Sequence, residues 1–557
     1  MPFRLLFVSL GTLGILGGSV VMVLSAGLIL GGVHPAIMLV VMFLTVMVAL
    51  AGWAIGPWFT DLIQGWVYNL EKLSFDDFEQ LHPTVGQFMR RVCEENRLPL
   101  PKIRLIHDDN PTAYTYGSLP MNARVALSDG LFRFLDDEEV CAVAAHELGH
   151  IRHYDFAVMT LASTTLQLLY EMYWLFTRSL SKGKNNPLPA IGLMAYVLWL
   201  VGTYLVLFLS RTREYMADAF AAKACGDPAP LQRALVRIAY GMAEVQRTGT
   251  ANVRLLEATR AMGIFDPKAA SGVGNSVRAV DGNLALSDEP TPSKAFDPVA
   301  IEPIFLFDLF NPWATVSELS STHPLTGKRI RALNGQAPAL SRAPLFRFDR
   351  VDREGKALDY TRLYGKFFFE VVIHFLPFVA PLPVLLLAIV FPRALGLVVA
   401  AVGAGMVVKG LYRYAIGGAF EPTTMYELMC DPYASPLRGR PVQLEGEIIG
   451  KAMAGSKIGE DLTMKDRSGG LVMLNYESLF WIFGNLFFGM GKAKAAIGQQ
   501  AVARGWFRRS VYQFVDLSDL VLEDGKTIGS YTRFWGIAGG FVVLLGGMVL
   551  GAVALVV

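Results

Sequence analysis

Long apolar stretches constrain this chain more than any other feature of its sequence. A helix needs about 20 predominantly apolar residues to cross a bilayer, and only 18% of the residues are charged while 53% are hydrophobic. The sequence therefore predicts an α-helical integral membrane protein with about seven spans. The predicted spans are residues 5–30, 36–59, 157–175, 190–209, 367–391, 394–408 and 535–557.

The first apolar stretch has two interpretations. It follows a lone Arg4 and contains small residues at Ser25 and Ala26, so it could be a signal peptide with a cleavage site there. The stretch is long for that role and a second one follows at once, which favours an uncleaved hairpin over residues 1–59. A second predicted hairpin, 157–209, interrupts a polar segment at 60–366, and a third covers 367–417.

The last polar segment, 418–533, shows short alternating stretches with glycine-rich turns, which predict a small β-barrel of the OB type before the final span at 535–557. The apolar residues 479–490 are too few to cross a membrane and could lie in its interface. Residues 263–300 lack periodicity, so they could be a lid or disordered. The predicted strands are 441–450, 462–465, 471–475, 501–507 and 512–520.

The motif His146-Glu147-Leu148-Gly149-His150 lies in the first polar segment, behind an acidic stretch that is typical of a helix start. Histidines four residues apart project from one face of a helix. They can share one zinc ion, with Glu147 beside the open coordination position. Four widely separated cysteines without a C-x-x-C pair argue against a cysteine zinc site.

Zinc needs a third protein ligand. Asp155 and His153 are near in sequence, but His153 is rotated away from the face that the two histidines share. The better candidate is Glu214, which lies beyond the predicted hairpin 157–209. Two crossings return the chain to the side it left, so Glu214 can reach the same ion. Asp218, one turn further on, could accept the second ring N–H of a histidine ligand. The alternative is that these two acids only solvate a helix start.

These motifs together resemble the membrane-bound gluzincin endopeptidases, a family that includes HtpX and the type one CAAX prenyl proteases. The resemblance covers about residues 60–333 and includes Arg211 in the stretch that carries Glu214 and Asp218. It implies a zincin-type α+β protease domain with one Zn²⁺ per chain. Thr112, Ala113, Tyr114 and Thr115 stand where the family has a cleft-lining strand, with Thr112 in place of the family's asparagine. Ser321-Thr322-His323-Pro324 resembles a late family signature.

The late motifs have structural and functional interpretations. An edge strand at 112–117 could pair with an extended peptide, or it could be an ordinary strand of the domain. His323 could donate a hydrogen bond to a developing oxyanion. Alternatively, Thr322 could cap a helix that has Pro324 in its first turn, which would leave His323 structural.

The favoured function is a zinc endopeptidase that acts on membrane or misfolded proteins, with Glu147 as general base and His323 as a further catalytic candidate. The alternative is a catalytically idle membrane scaffold that binds partners. Processing of prenylated peptides is a weaker enzymatic variant. A net charge of +2 gives no electrostatic case for nucleic acid. We expect a protein or peptide substrate and the lipid bilayer as partners, while a homo-oligomer stays open.

The distribution of basic residues predicts which side the site faces. Seven of them lie near span ends on the side of the motif and four lie in the opposite loops, so the positive-inside rule favours a cytoplasmic site in a prokaryotic plasma membrane. Those on the motif side are Arg152, Arg211, Arg213, Arg362, Lys366, Lys409 and Arg413; those opposite are Arg178, Lys182, Lys184 and Arg393.

Overall fold

The computed structural model describes residues 2–67, 70–179, 186–248, 297–414, 419–451, 460–510 and 513–556. Of the segment predicted to be a lid or disordered, 263–300, only the last four residues are among these. That prediction therefore falls outside the described residues.

Within the described ranges, six helical segments are long and apolar enough to cross a membrane, by length and composition. Leucine, valine, alanine and glycine fill them nearly all round, as a lipid-facing helix requires. The first two are α1 (Pro2–Ile29) and α2 (Pro35–Val67), so the second helix continues past the predicted hairpin end at 59. The other four candidate spans are Leu188–Cys225, Tyr360–Val390, Pro392–Arg413 and Thr532–Ala554.

One of the seven predicted spans, 157–175, is not among these six. It forms the helix α7 (Asp155–Trp174), which packs in a bundle with α1 and α8 (Leu188–Cys225). Polar side chains such as Gln167 and Glu171 lower the mean hydropathy of α7. A bent pair of helices, Pro298–Phe310 and Pro312–Leu319, would bring the number of candidate spans to seven, but the pair bends by 72°.

The domain between the membrane helices contains one mixed sheet with helices around it. The strands are β1 (Leu70–Leu73), β2 (Lys102–Ile106), β3 (Ala113–Tyr116) and β4 (Arg124–Ser128), in the order β1-β2-β4-β3. Only β2 and β4 run parallel to each other. β3 pairs with β4 alone in the described sheet, so it is an edge strand, as predicted. The remaining helices up to residue 248 are α3 (Phe75–Leu81), α4 (Pro83–Glu95), α5 (Asp129–Phe134), α6 (Asp137–Arg152) and α9 (Ala229–Thr248).

A buried ion cluster fixes this sheet beneath the first hairpin. Asp61, near the end of α2, accepts hydrogen bonds from Arg104 of β2 at 3.0 Å, from Arg124 of β4 at 3.3 Å and from the Tyr116 hydroxyl of β3 at 2.6 Å. One carboxylate therefore contacts three of the four strands. Because breaking a buried pair costs about 3–5 kcal/mol, the cluster holds the sheet in one orientation to the membrane helix.

The chain after residue 297 first completes the domain that contains the four-stranded sheet and then forms the third hairpin. Short helices cover the domain before the long apolar ones begin. The short helices are Pro298–Ile301, Phe305–Phe310, Pro312–Leu319, Thr326–Asn334 and Asp349–Lys356. The apolar helices that follow are Tyr360–Val379, Pro381–Val390 and Val398–Arg413, and the last span is Thr532–Val556.

A closed β-barrel lies between the third hairpin and the last span. Its strands are β6 (Arg440–Lys451), β7 (Leu462–Asp466), β8 (Leu471–Asn475), β9 (Gln500–Arg509) and β10 (Gln513–Leu522), and every boundary is within two residues of the predicted one. They pair in the circuit β6-β7-β8-β10-β9-β6, in which only β8 and β10 are parallel. Two short strands add to this circuit: β5 (Glu421–Pro422) pairs with β6, and β11 (Thr527–Gly529) pairs with β10. Short helices occupy Met425–Met429, Trp481–Met490 and Lys492–Ala496.

The buried carboxylate of Glu370 ties the barrel to the rest of the molecule. It accepts hydrogen bonds from the indole N–H of Trp313 and the hydroxyl of Ser435, both at 2.6 Å, and from the hydroxyl of Tyr412 at 3.1 Å. These partners come from the protease domain, the third hairpin and the segment before β6. These hydrogen bonds therefore fix the position of the barrel relative to the membrane helices.

Candidate metal centre

The helix α6 carries the two histidines of the motif. Asp136 caps it by accepting from the Glu139 backbone N–H, and the Glu139 side chain accepts from the Asp136 N–H in return. This capping box satisfies two of the backbone donors that a helix start leaves unpaired. His146 and Glu147 are at most 1% exposed, so the sequence places two titratable side chains inside the core. Buried polar groups of this kind need partners.

The second element of the site is α8, which runs without a break from the apolar residues into the stretch that carries Glu214 and Asp218. Gly149 of α6 lies directly against it. A Cβ on Gly149 would be 3.0 Å from the Cα of Ala217, a contact that side chains rarely tolerate. Glycine and alanine at this crossing therefore let the two helices approach closely enough for their side chains to meet.

The structure brings His146, His150 and Glu214 together. The Nε2 atoms of the two histidines are 3.1 Å apart, and carboxylate oxygens of Glu214 lie 3.7 Å from His146 Nε2 and 3.6 Å from His150 Nε2. The ligand atoms of the three side chains all lie within 4.8 Å of one another. This triangle joins α6 to α8 across a separation of more than 60 residues in sequence.

Each histidine has its own carboxylate behind it, and each carboxylate has its own arginine. His146 Nδ1 lies 3.0 Å from Asp218, which accepts from Arg329 at 2.6 and 2.9 Å. His150 Nδ1 lies 2.6 Å from Asp155, which also pairs with Arg213. Both Nδ1 atoms therefore face an acceptor. The protons belong on Nδ1, which leaves a lone pair on each Nε2.

These residues fit a zinc ion. Two imidazole lone pairs and a carboxylate that face one point repel one another unless a cation lies between them. Glu214 Oε2 is buried and accepts no well-aligned hydrogen bond within the described part of the chain, although His323 Nδ1 lies 3.1 Å and Arg329 3.5 Å from it. Tetrahedral zinc with bonds of about 2.0–2.2 Å would place its ligand atoms about 3.3–3.5 Å apart, close to the distances observed.

Glu147 lies beside this triangle and is held by Thr115 of the edge strand β3. The Thr115 hydroxyl donates to Glu147 Oε2 at 2.5 Å, while Oε1 has no partner among the residues described. Glu147 therefore has one oxygen fixed and the other available to a substrate or a water molecule.

His323 approaches the same centre from the other side. Its Nδ1 lies 3.1 Å from Glu214 Oε2, and its Nε2 has no hydrogen-bond partner in the described ranges. The expectation that Thr322 caps a helix with Pro324 in its first turn is wrong, because the helix begins only at Thr326. The Leu325 N–H donates to the Glu318 carboxylate at 3.1 Å instead, which keeps the preceding residues extended.

The structure places the other predicted site residues one step further out. Arg211 donates to the backbone carbonyls of Glu318, Leu319 and Ser321 at 2.8–3.3 Å, so it holds the loop that carries His323 and does not contact the ligand triangle. Among the predicted substrate-binding residues, Ala113, Tyr114 and Thr115 form β3, while Thr112 precedes it and donates its N–H to Ser128. These four side chains are at most 8% exposed.

Sequence reasoning predicted only part of the second layer of this site. Asp218 was expected to accept the second ring N–H of a histidine ligand, and it lies 3.0 Å from His146 Nδ1. The pairing of Asp155 with His150 and the arginine partners Arg213 and Arg329 were not predicted. Burial alone would lower the pKa of Arg329, but Asp218 and Glu214 outweigh it and hold that pKa above its ordinary value, so the guanidinium is charged. The only signal for Asp155 was its proximity to the motif. His153, rejected as a ligand, packs against Phe220, and burial lowers its pKa to about 4.

Comparisons with known proteins agree with this geometry. The family model described as peptidase family M48 matches residues 79–337. Two curated relatives are named protease HtpX homolog. The one from Aquifex aeolicus is 33% identical over 223 residues, covering 38% of this chain and 72% of the relative. The one from Methanothermobacter thermautotrophicus is 31% identical over 179 residues, covering 32% and 66%.

The chain belongs to peptidase family M48, and the two relatives above are named as HtpX homologues. The crystal structure of S. mikatae Ste24p is similar at 23% identity with a TM-score of 0.27, covering 40% of this chain and 54% of that one. This chain spans just under two thirds of the Methanothermobacter relative. With its apolar helices, the protein is an integral membrane member of a metalloprotease family.

Proposed function

We propose that this protein is a membrane-embedded zinc endopeptidase in which His146, His150 and Glu214 hold one Zn²⁺. The observation that carries the proposal is the convergence of two Nε2 lone pairs and one carboxylate on a single point, next to the buried Glu147. The family membership and the protease names of the relatives support it. When bound, zinc would supply the Lewis acidity that activates water at neutral pH and polarises a peptide carbonyl.

The chain's own residues perform the proton transfers. Glu147 accepts a proton from the attacking water on its free oxygen and later delivers it to the leaving amine. Thr115 keeps the carboxylate aimed by its hydrogen bond to the other oxygen. The Nε2 of His323 donates to the developing oxyanion. Arg211 acts as a positioning residue, because it fixes the three carbonyls ahead of His323.

The substrate is a protein or peptide that binds as an extended strand. β3 is an edge strand whose far side is unpaired in the described sheet, so residues 112–115 can add a peptide strand through backbone hydrogen bonds. Backbone pairing tolerates many sequences, which suits cleavage of membrane or misfolded proteins. The strand also carries Thr115, so substrate pairing and the orientation of Glu147 share one element.

We infer that the site lies on the cytoplasmic side of the membrane. We infer that α7 crosses the bilayer together with α8, because it packs along α1 and α8 throughout its length. The basic residues at the span ends then favour a cytoplasmic site in a prokaryotic plasma membrane. We also infer that the C-terminal barrel is of the OB type, since its five strands close in the circuit described above with helices between β8 and β9.

The experiment that tests the proposal is the Glu147→Gln variant. We expect it to retain about one zinc per chain and to lose cleavage of casein, a generic unfolded substrate. Glu138→Gln on the same helix is the matched control, because Glu138 is exposed and pairs only with Arg233 among the described residues. Cleavage by the Glu147→Gln protein at the wild-type rate would show that the base is wrongly assigned. A wild-type protein that binds no zinc and cleaves nothing would favour a scaffold.

A further inference from the structure

A basic cavity lies far along the chain from the metal centre, where the third hairpin meets the barrel. It has a volume of about 390 Å³. Arg362 and Lys366 enter it from the first two turns of the helix Tyr360–Val379, while Arg438 and Arg440 enter it from the segment before β6 and its first residue. Pro441 and Phe507 form an apolar wall, and neither predicted function nor family motif accounts for this cavity.

Two of these four cations are matched by carboxylates and two are not. Arg440 pairs with Asp431 at 3.3 Å, and Arg438 faces Glu370 at 3.7 Å. Arg362 lies over the ring of Tyr433, 5.3 Å from its centroid, which leaves its charge uncompensated.

Lys366 is half-buried, and no salt bridge to it is seen within the residues described. Crowding four cations in one cavity costs free energy unless an anion binds there.

The cavity also lies beside the start of a candidate membrane span. The helix that carries Arg362 and Lys366 begins the candidate span Tyr360–Val390. Tyr360 and Tyr364 on the same two turns are about 40% exposed and stack with their centroids 6.3 Å apart. Tyrosines of this kind mark the headgroup region, and basic pockets beside spans bind anionic headgroups.

We propose that this cavity binds a phosphate-bearing anion, and that the phosphodiester of an anionic phospholipid headgroup is its source in the membrane. A phosphate offers several acceptor oxygens to guanidinium and ammonium donors at once, which suits the unmatched pair Arg362 and Lys366. The apolar wall at Pro441 and Phe507 suits the glycerol end of a lipid. A bound lipid would brace the barrel against the third hairpin. The site is independent of the metal centre.

The test uses the full-length chain in a neutral detergent. Binding of dihexanoyl phosphatidylglycerol, dihexanoyl phosphatidylcholine and inorganic phosphate is measured by isothermal titration calorimetry. We expect the anionic lipid to bind, and Lys366→Gln and Arg362→Gln each to raise its Kd about tenfold, as loss of a charged hydrogen bond does. Lys366→Arg should restore binding. Arg533→Gln is the matched control, because Arg533 lies at the start of the last span outside this cavity.

Each outcome decides the matter. Inorganic phosphate that binds as tightly as the lipid would support the site and make free phosphate its ligand. Equal binding of the anionic and the zwitterionic lipid with no phosphate binding would overturn the proposal. A Kd raised as much by Arg533→Gln as by Lys366→Gln would do so as well, since it would reveal general attraction to the basic surface. If Lys366→Gln does not fold, the exposed Arg362→Gln variant decides in its place.

Discussion

The substitution Asp155→Asn tests the second layer of the metal centre most directly. The Asp155 carboxylate serves two donors, His150 Nδ1 at 2.6 Å and the guanidinium of Arg213. An asparagine has one acceptor oxygen and one NH₂ group, so whichever way it turns, a donor faces a donor. If the amide faces the histidine, the ring must move its proton to Nε2, which is the atom that would bind zinc.

The size of the expected loss in zinc affinity follows from the hydrogen bond that the substitution removes. A hydrogen bond to a charged group contributes about 1.5–3 kcal/mol, which corresponds to a change in Kd of about tenfold to a hundredfold. Carboxylates behind metal-bound histidines have effects of the same size. Arg213, only 2% exposed, also loses its charged partner. Leaving a buried charge unpaired costs about 3–5 kcal/mol of folding free energy.

The assay must therefore separate metal affinity from unfolding. Zinc is titrated against a competing chelator at a temperature where circular dichroism shows both proteins folded, and Tm is measured separately without metal. We expect a zinc Kd raised about tenfold to a hundredfold and a lowered Tm. Asp109→Asn is the control, because Asp109 pairs with Arg133 at 3.3 Å on the surface. A folded Asp155→Asn protein with a zinc Kd within about twofold of wild type would refute the reasoning.

Three further predictions concern separate features. Thr115→Val removes the donor to Glu147 at 2.5 Å, so we expect kcat for casein to fall about tenfold while the zinc content stays unchanged. Gly149→Ala puts a Cβ 3.0 Å from Ala217 Cα. Overpacking costs about 1–3 kcal/mol of folding free energy, whereas the higher helix propensity of alanine stabilises the helix by about 1 kcal/mol. Tm should therefore fall slightly, and a higher Tm would contradict the close contact. Burial, with nearby acids, raises the pKa of Asp461 to about 6. The unfolded chain then loses this proton at lower pH than the folded one, so stability falls as pH rises from about 4 to about 6 and stays lower above it. Asp461→Asn should raise the thermal unfolding midpoint at pH 8 and leave it unchanged at pH 4.

The convergence of His146, His150 and Glu214 could be predicted because it needs only two simple signals. The i, i+4 spacing places His146 and His150 on one helix face, and counting membrane crossings was enough to bring Glu214 to the same side. The strands of the barrel were also predictable, since alternation of apolar residues has a short period. In each case the signal lies within one element or in the order of elements.

The arginine pairs of the second layer could not be predicted, because their contacts join distant positions. Arg213 and Asp155 are 58 residues apart, and Arg329 and Asp218 are 111 apart. Many arginines and acids in the chain could pair, and only the packing of α7 and of the helix Thr326–Asn334 against α8 selects these. Pattern counting also overestimated the apolarity of α7, whose Gln167 is exposed and donates to Glu171 on the same helix.

The 38 residues of α8 form one unbroken helix, about 57 Å long at 1.5 Å per residue, that begins among lipids and ends beyond Asp218. A soluble fragment started at Ser210 would cut this rod one turn before Glu214 and free a zinc ligand from its anchor. A change in bilayer thickness should therefore change the geometry of the active site, because any tilt of this helix in a thinner or thicker membrane moves Glu214 relative to the two histidines.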